Sequence, residues 1–69
     1  MEKWILSLGD KIFLLRKKLK LNQYDLAEKA GVSPLTISRI ESNQVYPHPS
    51  TLKTIADVLG ISIEELRGE

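Results

Sequence analysis

The chain has 69 residues, no cysteine, one histidine and a formal net charge of +1 at pH 7. A single domain spanning residues 1–69 is expected, with a small core and no room for a separate effector or catalytic domain; disulfides, thiolate zinc sites, thiol catalysis and multi-histidine metal clusters are excluded. No apolar run nears the ~18 residues of a membrane span, and Trp4-Ile5-Leu6 falls short of the ~7 of a signal-peptide core, so the expectation is a soluble, cytoplasmic protein without a cofactor.

The charge is unevenly spread. Lys3, Lys11, Arg16, Lys17, Lys18 and Lys20 face only Glu2 and Asp10 in the first 20 residues, whereas Glu41, Asp57, Glu64, Glu65 and Glu69 outnumber Lys53 and Arg67 after residue 40. A basic end suits phosphates, with an acidic end turned away; segregated solvated helix faces are the alternative.

Taken in order, the chain reads as five short helices. Leu8, Ile12, Leu15 and Leu19 recur at steps of four, three and four, an amphipathic stripe that Ser7 and Asp10 can cap. Asn22 stands as the cap of a second helix with Asp25 at its third position, Leu26, Ala27 and Ala30 as its inner face, and Gly31 as its stop. Ser33 and Pro34 start a third helix after only three residues, with Ile37 and Ile40 inward and an end near Ser42. Asn43–His48 is a polar loop, with His48 bordering the fourth helix that Pro49 opens. There Leu52, Ile55, Ala56 and Leu59 form the inner face, and Gly60 closes it. Ser62 and Glu65 cap a final helix anchored by Ile63 and Leu66. No segment alternates with period two for long enough to make a strand, so the fold class is all-α.

The segment Gln23–Glu41, QYDLAEKAGVSPLTISRIE, decides what these helices are for. Two helices joined at Gly31 and Val32 make a helix-turn-helix, in which the small Ala27 permits close approach and Val32, Ile37 and Ile40 plug the space between. Spacing alone also fits an ordinary helical hairpin.

Residues 8–66 resemble the lambda-repressor and Cro-like (XRE-type) family of DNA-binding domains. The resemblance is carried by Leu8-Gly9, Ile12, Leu15-Arg16, Leu21-Asn22-Gln23, Leu26-Ala27, Gly31-Val32-Ser33, Ile37-Ser38-Arg39-Ile40-Glu41, Pro47, Leu52, Ile55-Ala56, Leu59-Gly60 and Leu66, with residues 1–7 as an arm outside it. The family often has glycine near Lys20 and at Asn43, and lysine or arginine in the loop where this chain has Gln44, Val45 and Tyr46.

The resemblance implies a five-helix domain whose third helix enters the major groove, the usual work of a transcriptional repressor. Its base readers would be Ser33, Pro34, Leu35, Thr36, Ser38 and Arg39. Arg39 can donate twice to guanine or merely touch phosphate; Leu35 can meet a thymine methyl or pack on a neighbour. Asn22, Gln23, Ser42, Asn43 and Gln44 would contact phosphate, although Asn22 can serve only as a cap and the other loop residues can be simply solvated. Arg16 and Glu41 would form a structural ion pair. Family members often dimerise near the C-terminus, which makes Ile61, Ile63 and Leu66 either core or dimer surface, and Trp4, Ile5 and Leu6 either packed on helices one and five or an arm to a partner copy. The expected partners are operator DNA and a second copy, the latter on DNA alone or throughout; no membrane or small-molecule ligand is implied. Asp25 and Glu28 are either an acidic patch for polymerase or a solvated face. The competing class is a protein-interaction module, antitoxin-like, on the same fold. An enzyme has nothing to build with.

Overall fold

The computed structural model of the protein describes residues 6–68. Among them every regular element is a helix: α1 (Leu8–Lys18), α2 (Gln23–Ala30), α3 (Pro34–Glu41), α4 (Pro49–Leu59) and α5 (Ile63–Arg67). Helices this short do not hold alone in water, so caps and tertiary packing decide them. The Ser7 hydroxyl accepts the Asp10 N–H at 3.1 Å while the Asp10 carboxylate accepts the Ser7 N–H at 3.3 Å. Asn22 with Asp25 and Ser62 with Glu65 repeat that reciprocal box. His48 caps α4, its Nδ1 accepting the Ser50 N–H at 3.2 Å.

The inner faces meet in one core. Ile12 of α1, Leu26 of α2, Ile37 and Ile40 of α3, Leu52 and Ile55 of α4, and Leu66 of α5 are buried there. Helix α3 packs on both α1 and α2, α4 on α2 and α5, and α5 returns to α1. Leu66 therefore belongs to this chain's own core, and Ile61 and Ile63 are partly buried against it.

Three expectations need correction. Leu19 does not continue the inner stripe of α1: it is the C-cap, 47% exposed, and Arg16 takes the buried place in the last turn. The reason is that the chain leaves the helix there, with Lys20 at φ 62° and the Leu21 N–H returning to the Arg16 carbonyl at 3.0 Å. Leu6 stays exposed rather than packing on α1 and α5; Trp4 and Ile5 lie outside the described residues. Helix α3 also stops one residue early, with Ser42 as its cap.

Helix α3 closes as α1 does, with Asn43 at φ 63° and the Gln44 N–H bonded to the Arg39 carbonyl at 2.9 Å. Asparagine does more there than tolerate the turn. Its Oδ1 accepts the Gly9 N–H at 3.2 Å and its Nδ2 donates to the Ser7 hydroxyl at 3.0 Å, which ties the end of α3 to the start of α1. Gly9 makes this approach possible: a Cβ there would lie 2.5 Å from the Glu41 carbonyl and 2.6 Å from that of Ile40.

Backbone carbonyls of a packed helix cannot step aside as a flexible side chain can. Gly9→Ala is expected to lower unfolding stability by about 1–3 kcal/mol in a urea titration followed by helical circular dichroism. Lys20→Gly works in the other direction. Relief of the left-handed conformation should raise stability by about 1 kcal/mol, and the melting temperature by ~4–8 °C.

Candidate DNA interface

The turn between α2 and α3 is built from local chemistry. Gly31 adopts φ 72°, and the Val32 N–H returns to the Ala27 carbonyl at 3.0 Å. Ser33 then restarts a helix by accepting the Thr36 N–H at 3.1 Å, with Pro34 in the first turn. Ala27, almost wholly buried, lets the two helices close on Ile37 and Ile40.

Burial of Ile37 and Ile40 fixes which residues α3 shows outward. Leu35, Ser38 and Arg39 stand at spacings of three and four and so share one face. Leu35 is 55% exposed, which leaves its apolar end free for a partner. Arg39 is exposed and has no side-chain partner among the described residues. Ser38 is partly buried. Ser33 and Thr36 share a hydroxyl–hydroxyl bond at 2.9 Å, which orients both at the helix start beside the partly buried Pro34.

What holds that face still is an ion pair beneath it. The Arg16 Nε donates to Glu41 Oε2 at 2.7 Å and Nη2 donates to Oε1 at 3.0 Å, with both side chains only 6% exposed. The remaining guanidinium nitrogen, Nη1, donates to the Leu21 carbonyl at 3.0 Å, and Phe13 lies over the guanidinium with its ring centre 5.3 Å away. Gln23 completes the set, its Nε2 donating to Glu41 Oε1 at 3.1 Å. One carboxylate thus joins α1, the first residue of α2 and the last residue of α3.

The five residues expected at phosphates are not equivalent. Asn22 is a cap, its Oδ1 accepting the Asp25 N–H at 2.7 Å. Gln23 stands at the helix start, where the first amides lack intrahelical acceptors, but its own amide is half engaged by Glu41. Ser42 turns its hydroxyl back to the Ser38 carbonyl at 2.9 Å. Asn43 is exposed, and each end of its amide makes one bond toward the start of α1, to Gly9 and to Ser7. Gln44 is exposed. Asp25 spends its carboxylate on the Asn22 N–H at 3.1 Å, which leaves Glu28 as the open acid of α2. Two large side chains that the sequence reading gave no role are well exposed: Tyr24 in the first turn of α2, at 72%, and Tyr46 in the loop after α3, at 67%. No metal-ligand cluster occurs among the described residues, and no helix among them is long and apolar enough to cross a membrane.

Five helices, a glycine turn between α2 and α3, and an open face on α3 define a helix-turn-helix protein. The chain belongs to that family, whose model matches residues 12–66. It is 39% identical over 64 residues to the immunity repressor protein of Bacillus phage phi105, covering 93% of this chain and 44% of that one. It is 36% identical over 61 residues to the HTH-type transcriptional activator BcrR of Enterococcus faecalis, covering 88% and 30%. The P22 c2 repressor protein, solved in complex with a synthetic operator, superposes with a TM-score of 0.86 at 32% identity, over 90% of this chain and 94% of that one. The chain spans less than half the length of the two sequence relatives.

The ion pair carries a direct test. Glu41→Gln leaves a buried guanidinium without its counter-charge and should cost about 3–5 kcal/mol of unfolding stability. Replacing both partners with methionine (Arg16→Met with Glu41→Met) should cost less than the single change, since no charge is then stranded. A double variant weaker than Glu41→Gln in the same titration contradicts this account of the pair.

Proposed function

We propose that this chain is the DNA-binding domain of a transcriptional repressor that lays α3 in the major groove of an operator. The observation that carries the reading is the outward face of exposed Leu35 and Arg39, with Ser38 partly buried beside them, on a helix fixed from behind by the buried Glu41 carboxylate. Arg39 has the fork of donors that matches guanine O6 and N7, Leu35 suits a thymine methyl, and Ser38 can bond either base edges or phosphate. Ser33, Pro34 and Thr36 border the groove at the helix start. Gln23, the open amides of α2 and Gln44 grip the backbone, with Asn22 and Ser42 holding those segments in shape.

Repression follows from occupying a promoter; similarity to the phage immunity repressor and to the P22 c2 repressor supports that direction, against the activator among the relatives. Two copies on a palindromic operator, one per half-site about 34 Å apart, fit a domain this small. The reading assigns the protein to the cytoplasm and gives it no catalytic role.

Fluorescence anisotropy with a selected duplex and a random one, at several salt concentrations, tests this. Arg39→Ala should weaken specific binding by about 1–3 kcal/mol, lose discrimination at one base pair and leave the helical signal unchanged. Absence of binding to any duplex at moderate salt sinks the repressor reading and turns the assignment to a protein-partner module.

A further inference from the structure

The segments beside α3 lack the charges that a phosphate grip normally uses. Residues 43–48 contain no lysine or arginine, and neither does the first turn of α2, Gln23–Leu26. Each segment instead exposes a tyrosine, Tyr46 in the loop and Tyr24 in the helix, and these are the most exposed large apolar side chains among the described residues. The two segments set out from one place. The Gln23–Glu41 bond at 3.1 Å holds the start of α2 against the last residue of α3, and the loop runs on directly from there.

We infer that Tyr24 and Tyr46 are backbone-contact residues, their phenolic hydroxyls donating to operator phosphates in place of the missing cations. The inference rests on the DNA-binding reading and deepens it. An N-terminal entry of α3 into the groove puts its C-terminal end, and both tyrosine-bearing segments, at the groove's rim, where phosphates lie. A phenol is a neutral donor on a stiff arm with two torsions, so it is ordered on binding at small entropic cost. An O–H donated to an ionised phosphate oxygen is a charge-assisted bond. Such a contact displaces no condensed counterion, whereas a lysine contact does. Tyrosine contacts therefore add affinity that salt does not erode.

The experiment compares wild type, Tyr24→Phe, Tyr46→Phe and Tyr46→Lys on one selected and one random duplex across a salt series. Each phenylalanine variant should bind both duplexes about five- to tenfold more weakly, with an unchanged slope of log affinity against log salt. Tyr46→Lys should steepen that slope by about 0.9. Both tyrosines are mostly exposed, so circular dichroism should report an intact fold throughout. A phenylalanine variant that binds like wild type, or loses preference at one base pair only, overturns the assignment of that tyrosine while the repressor reading stands. A wild type that binds neither duplex overturns both.

Discussion

The Arg16–Glu41 pair is the constraint on which the rest of the domain depends. A carboxylate and a guanidinium this deeply buried are costly to desolvate, and the cost is offset only because every donor around them has an acceptor. Arg16 gives three of its nitrogens to Glu41 and Leu21, and Glu41 receives Gln23 besides. The geometry leaves little slack. Helix α1, the turn after it, the start of α2 and the end of α3 must all be in register for the network to close, so a misplaced α3 would strand charge in the interior.

This explains why the architecture was so legible in the sequence. Each helix is announced by chemistry that acts locally: a hydroxyl or amide cap with an acid three residues on, proline at the start of α3 and α4, glycine after α2 and α4. Such signals need no knowledge of neighbours. Leu19 misled because apolar spacing does not register where a helix stops, and the stop is written in the backbone of Lys20, a residue with no preference for the left-handed region. The Arg16–Glu41 partnership came from family resemblance; nothing in a spacing of 25 residues declares it.

The same contrast runs through the interface. The outward set on α3 follows from helical periodicity once Ile37 and Ile40 are inside. Which neighbouring polar groups remain open does not, because it depends on contacts between distant segments. Asn43 looks like a solvated loop amide in the sequence, and only the nearness of Ser7 and Gly9 reveals that each of its ends makes a bond toward the start of α1. Gly9 is equally silent, since its requirement arises from carbonyls more than thirty residues away.

Within α3, the positions that serve the fold and those that face outward are separate. Ile37, Ile40 and Glu41 answer to the interior; Leu35 and Arg39 face outward, with Ser38 partly buried beside them. Substitution at the second set can drift without a stability penalty large enough to be purged, because exposed helix positions away from special contacts shift folding by only about 0.5 kcal/mol. A duplicated copy of this domain could thus diverge in target while keeping its scaffold, and transplanting three side chains onto the helix is the smallest edit by which its preference could be rewritten.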